Sequence, residues 1–157
     1  MYWHYVWFYR FIDQQLKRPV DLGERDQLEG GQWNRKIGDL GEDLACKALW
    51  AGGKKVLYRQ FTAPGGGEID IVVRDRKTLV FCEVKTRTSK KFGRPADAVD
   101  YKKRRLITRG ANAWIQELGF VPAVFRFDII EVILIEGKLP EIRMIENAFQ
   151  AAPRLLA

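Results

Sequence analysis

Histidine is nearly missing from this 157-residue chain, with His4 standing alone. Cysteine is scarce as well. Cys46 and Cys82 fall on different expected elements, a helix and a strand, and no Cys-x-x-Cys pair exists. A thiolate or imidazole zinc site needs about four such ligands, so that chemistry is argued against. Two buried, reduced thiols in a cytosolic protein is the plain expectation, and the location expected is cytoplasmic. No apolar run approaches the roughly 20 residues that a membrane-spanning helix requires. The start lacks the basic lead and small-residue cleavage site of a secretory signal. Internal repeats and low-complexity tracts are also absent.

What is present suits one soluble domain with a real core: 46% hydrophobic and 30% charged residues. The formal charge of +7 makes a polyanionic partner the first expectation, nucleic acid before others and DNA before RNA. The aromatic leader contains Tyr2, Trp3, Tyr5, Trp7, Phe8, Tyr9 and Phe11. It reads as an appended amphipathic helix running to Lys17. It would pack on the domain or on a second copy, which would give a homodimer, with membrane-surface contact or base stacking as alternatives. Val20 to Gln32 reads as a polar linker. The division expected is 1–31 for the extension and linker, 32–148 for the domain and 149–157 for a tail.

Apolar periodicity predicts a helix over Asn34–Ala51, where Ile37, Leu40, Leu44, Ala48 and Leu49 form the buried stripe. Gly38, Gly41 and Ala45 make a flat ridge for close approach to a sheet, and Glu42 borders it. Strands are expected at Lys54–Phe61, Gly67–Val73, Leu79–Lys85, Ala123–Ile135 and Glu141–Ile145, with a helix over Asp97–Leu118. Helix, three strands, helix and two strands give an α/β fold, an α-β-α sandwich with a mixed central sheet.

The central stretch is Gly67–Val73 followed by Leu79–Lys85. Alternation places Ile69, Ile71 and Val73 on one face of the first strand, with Glu68 and Asp70 opposite. On the second, Glu83 and Lys85 share a face. A hairpin would bring two acids and an amine together, and uncompensated charge on an apolar sheet is costly. An isolated Glu-x-Lys is most often a structural ion pair. Here Asp70 is in phase on the neighbouring strand and Glu42 precedes both. That combination points to a Mg²⁺ or Mn²⁺ site for phosphodiester hydrolysis, with Asp70, Glu83 and the Val84 carbonyl as ligands and Glu42 bound directly or through water. Lys85 would orient the attacking water or offset developing charge. Glu68 lies on the same face, nearer the strand's start.

Residues 85–109 hold ten basic and two acidic residues, a local charge of +8 that exceeds the whole chain's. Arg87, Lys90, Lys91, Lys102, Arg105 and Arg109 are the expected contacts to a phosphate backbone. Lys102, Arg105 and Arg109 fall on one helical side.

The ordered set Gly41-Glu42-Asp43-Leu44-Ala45, Gly67-Glu68-Ile69-Asp70-Ile71, Phe81-Cys82-Glu83-Val84-Lys85-Thr86-Arg87, Phe92-Gly93 and Arg126-Phe127-Asp128 resembles the bacterial YraN-like family. The resemblance covers roughly Asn34 to Ile135. It implies a restriction-endonuclease-like fold of the PD-(D/E)xK nuclease superfamily, similar in core to Holliday-junction resolvases. Carried over by position, Asp70, Glu83, Lys85 and Glu42 would form the metal and catalytic site. Cys82 stands where the family commonly has an aliphatic residue. The expected function is a metal-dependent DNA endonuclease acting on branched or single-stranded DNA in repair, recombination or DNA uptake. The alternatives are a nucleic-acid-binding protein of nuclease fold with little or no catalysis, and a partner-binding subunit docked through its leader.

Overall fold

The computed structural model describes residues 6–8, 14–23, 31–89, 99–119 and 124–151. Among them are six strands and two α-helices: β1 (Val6–Phe8), α1 (Gln32–Ala51), β2 (Lys55–Ala63), β3 (Gly67–Asp75), β4 (Thr78–Arg87), α2 (Tyr101–Glu117), β5 (Val124–Ile133) and β6 (Glu141–Phe149). The strands form one sheet in the order β1-β6-β5-β4-β3-β2. β4 and β5 pair in parallel and the other neighbours antiparallel. This is the α-β-α sandwich with a mixed sheet that the sequence predicts. Five long strands form its body and β1 adds three residues at the edge. No described helix is long and apolar enough to cross a membrane.

Each face of the sheet buries its own core. Ile37, Leu44, Ala45, Ala48 and Leu49 of α1 pack with Ile71, Val73, Val80, Cys82 and Val84. On the opposite side, Ile107 and Ala111 of α2 join Phe61, Ile69, Val72, Phe81, Phe127 and Phe149. The Phe127 and Phe149 rings stack with centroids 4.9 Å apart. Cys46 and Cys82 are both free thiols; Cys82 is buried as expected, whereas Cys46 is only half-buried.

Two close approaches set the layer spacing. A Cβ built on Gly41 would lie 1.9 Å from Thr86 Oγ1, so α1 rests against β4 at that residue. One built on Gly67 would lie 2.4 Å from the backbone nitrogen of Gly110, where α2 meets the start of β3. Gly41 therefore serves the flat ridge, whereas Gly38 has no neighbour within 4 Å and does not.

The leader departs from the expected helix. Val6–Phe8 is a strand paired antiparallel to β6, with Trp7 opposite Met144, and Gln14–Lys17 is a single 3-10 turn. β-branched and aromatic residues suit a strand, and pairing covers the open edge of β6. The remainder of Met1–Ile12 lies outside the described residues. Leu16, Val20 and Leu22 are buried in the α1-side core. The Val20 N–H donates to the Lys138 carbonyl, and Leu22 N–H to Glu136 Oε2.

The second helix starts at Tyr101, later than Asp97, because Asp100 caps it: Asp100 Oδ1 accepts the Lys103 N–H at 2.8 Å. The last strand continues past Ile145 to Phe149, whose ring is buried in the α2-side core.

Candidate metal and nucleic-acid site

β3 and β4 form the expected hairpin, turning at Arg76-Lys77. Their ladder runs from Asp75–Thr78 only as far as Ile71–Cys82. Beyond that point the strands part, and a side chain replaces the missing bond: Asp70 Oδ2 accepts the Val84 N–H at 2.7 Å. The alternation slips at the same place. Ile71 and Val73 belong to the α1-side core but Ile69 to the α2-side core. The single face expected for Ile69, Ile71 and Val73 is thus broken at Asp70, which sits in the gap between separating strands.

Glu83 projects beside this gap with 2% of its surface exposed. Its Oε1 accepts from Lys85 Nζ at 2.8 Å. Its Oε2 is buried without a hydrogen-bond partner, although the Lys103 ammonium lies 3.4 Å away as an ion pair. Burial and then the Glu83 charge push the Asp70 carboxyl up to about 7, with Glu42 adding to the effect. Asp70 therefore feels the charge of both other acids.

Glu42 approaches from α1. Its Oε2 accepts from Gln60 Nε2 at 3.1 Å and lies 3.8 Å from the Arg59 guanidinium. Burial raises its carboxyl above the ordinary range despite these partners. Gln60 has φ 52° inside β2, and a register shift separates Val56 from Tyr58, so the simple alternation expected there fails. Glu42, Val84, Lys85 and Thr86 line one cavity of about 360 Å³ with Trp33 and Ile37.

Lys103 is the site residue that sequence reasoning missed. From the first turn of α2 its Nζ reaches Glu68 Oε2 at 3.3 Å as well as Glu83 Oε2. Burial alone would lower its pKa, but the Glu83, Asp70 and Glu68 carboxylates more than offset this and hold it raised. Its place in the basic run Lys102–Arg105 was visible in the sequence; which of those four cations turns to Glu83 was not.

Among the described residues, no three acids, histidines or cysteines close into a ready-made metal cage. Mg²⁺ seldom uses one. It takes one or two carboxylates and keeps several waters. Asp70, Glu83 and the Val84 carbonyl match that demand. The unbonded, buried Glu83 Oε2 and the raised Asp70 both mark an excess of negative charge, and the donor set fits a divalent cation.

The expected phosphate contacts divide. Lys102 and Arg105 are exposed on α2, and Arg105 lies over the Tyr101 ring. Arg109 donates to the Gly65 carbonyl at 2.7 Å and ties α2 to the β2–β3 loop. Arg87 turns to buried Glu131, 2.9 Å away. Lys90 and Lys91 lie outside the described residues.

A wider cleft of about 970 Å³ lies at the far end of β3, lined in part by Lys54, Asp75, Arg126 and Glu146. These four charges are mutually paired. Lys54 bonds Asp75 and Glu146, and Arg126 bonds Asp75 and Asp128.

Residues 41–132 match the model described as "Uncharacterised protein family UPF0102". A UPF0102 protein of Trichlorobacter lovleyi is 43% identical over 78% of this chain and 96% of its own length. One from Geobacter metallireducens is 45% identical over 76% and 96%. Another, from Pelobacter propionicus, is 39% identical over 87% and 99%.

Proposed function

The chain belongs to the UPF0102 family, and from its Asp70–Glu83–Lys85 arrangement we propose that it is a cytoplasmic, Mg²⁺- or Mn²⁺-dependent DNA endonuclease. The observation that carries this reading is the parting of β3 and β4 around half-buried Asp70 and buried Glu83, the latter with an oxygen lacking any hydrogen bond. Asp70 and Glu83 would hold the cation with the Val84 carbonyl, and Glu42 would join through water. A bound divalent ion supplies a water of lowered pKa and charge stabilisation at the phosphorus. Asp70 keeps its orientation through the Val84 N–H. Lys85, fixed by Glu83 Oε1, presents an ammonium that orients the attacking water and offsets charge on the phosphate oxygens. Lys102 and Arg105 extend the cationic surface that the DNA backbone would follow. Branched or single-stranded DNA is the expected substrate class.

A second reading has its own support. Glu83 is flanked by two ammonium groups, Lys85 and Lys103, as in a purely structural ion cluster. A nucleic-acid-binding protein with little catalysis would tolerate that. Incubating single-stranded, duplex, flap and four-way-junction DNA with Mg²⁺ or Mn²⁺ separates the two. The wild type should cut at least one substrate, and Asp70→Ala and Lys85→Ala should not. Cleavage by none leaves the binding reading, and equal cleavage by all three overturns the roles given to Asp70 and Lys85.

A further inference from the structure

The second ammonium at Glu83 has a consequence of its own, which rests on the metal-site reading above. Four carboxylates surround this point: Glu42, Glu68, Asp70 and Glu83. Lys85 and Lys103 accompany Glu68 and Glu83, and the Arg59 guanidinium stands beside Glu42, so carboxylates outnumber cations with every group ionised. Lys85 donates to the first oxygen of Glu83 in a well-formed bond. Lys103 stands at the second oxygen, at ion-pair distance and outside hydrogen-bonding geometry. It is held there loosely, shared with Glu68, whose side chain is 56% exposed. The oxygen that Lys103 faces is the one left free to bind a cation.

We propose that Lys103 is a tethered counter-ion. It competes with the divalent cation for Glu83 Oε2, and it passes to the substrate phosphate when the cation takes that oxygen. Its position favours such a transfer. It lies in the first turn of α2 beside exposed Lys102, so a small rotation about its four-carbon stem carries the charge from Glu83 towards Glu68 and the surface. Cation binding and DNA binding would then reinforce each other, because the ammonium displaced by one is used by the other. Lys103 is a positioning residue for the cation and a direct contact for the phosphate.

Calcium ion, which binds oxygen sites with little cleavage, is the probe. Titration calorimetry should show Lys103→Met binding Ca²⁺ about tenfold more tightly than wild type, since a positive charge beside the ligand has been removed. The factor by which Ca²⁺ raises affinity for a short single-stranded oligonucleotide should shrink about tenfold in the same variant. A merely structural lysine would move both affinities the other way or leave them alone. Glu68→Gln, on an exposed side chain, supplies a check independent of core damage. It should weaken Ca²⁺ binding by freeing Lys103 for Glu83, and should have a much smaller effect in the Lys103→Met background. If the wild type binds Ca²⁺ and Lys103→Met binds it no more tightly, the proposal is overturned while the metal site stands. If neither protein binds Ca²⁺ or Mn²⁺, the metal-site reading fails and the proposal fails with it.

Discussion

Replacing Asp70 by Asn should stabilise the cation-free protein while abolishing the proposed DNA cleavage. Asp70 has an ordinary value of 3.8 and is pushed up to about 7, chiefly by burial and then by Glu83. The folded protein thus holds this proton more tightly than the unfolded chain does. Raising the pH from about 4 to about 7 therefore withdraws stability, at up to roughly 1.4 kcal/mol per pH unit. Above about 7 the deficit is constant, and a shift near three units caps it at about 4 kcal/mol. Asparagine keeps the oxygen that accepts the Val84 N–H but carries no charge. Its expected gain at pH 8 is about 2–4 kcal/mol, equivalent to a Tm increase of about 5–10 °C for a chain of this length. Urea unfolding with EDTA at pH 5, 6, 7 and 8 gives the difference curve, which reads Asp70 together with its coupling to Glu83. The gain should be small at pH 5 and reach its plateau by pH 8. Adding Mg²⁺ should raise the wild type towards the variant, since a ligand bound only by the folded state stabilises it. A variant less stable than wild type at pH 8, or a gain independent of pH, would refute the electrostatic account.

Other consequences are equally direct. Gly67→Ala forces a Cβ to 2.4 Å from the Gly110 nitrogen, and backbone cannot rotate away; a loss of about 3 kcal/mol is expected in urea unfolding, and a loss under 1 would show that α2 and β3 can separate freely. Arg126→Met strips Asp128 of two hydrogen bonds and Asp75 of one, and should cost about 3–5 kcal/mol by leaving buried charge uncompensated. The Asp75 carboxyl is held below its ordinary 3.8, first by Lys54; it contributes stability above that value and loses it as pH falls through the lowered one, so wild-type unfolding should steepen below about pH 4. Changing Lys102 and Arg105 together to Ala should reduce the slope of log affinity against log salt for DNA by about 2, and an unchanged slope would remove them from the phosphate contacts.

The hairpin and its acids were legible because charged residues interrupt otherwise apolar strands, and such interruptions need a compensating role. Asp70, Glu83 and Lys85 lie within sixteen residues, so local periodicity suffices to bring them near one another. The break at Asp70 was not legible in that way. Ile69 and Ile71 are two apart and equally apolar, yet they serve opposite cores. The slip arises where β3 leaves β4, and pairing between strands is invisible to the period of either one. The inward turn of Lys103 depends likewise on Glu83, which lies on another element. Gln60, at positive φ, is fixed by Glu42 on another element. Aromatic density in the leader suggested a helix, but the unfilled edge of β6 offers Val6–Phe8 a ladder instead. In each case a distant partner overrides local preference.

The two ends of β3 show why the proposed chemistry belongs at one and not the other. Both carry buried acids and long cations. At the Asp75 end, Asp75, Asp128 and Glu146 each have a cation within 3.5 Å that also serves a neighbour. Asp128 is raised by burial, but Arg126 and the Asn147 N–H oppose the shift and leave no oxygen in need of an outside ligand. At the Asp70 end the second cause of the shift is another carboxylate, and a buried Glu83 oxygen has no hydrogen bond. A fold selected for stability alone would have resolved this end as it resolved the other, by one more fixed guanidinium. Instead it supplies a lysine shared between Glu83 and Glu68 and an acid poised near neutrality. That combination costs the protein stability and lowers the cost of admitting a divalent cation. The loss expected for Asp70 in the absence of cation is thus the quantity that the proposed function requires.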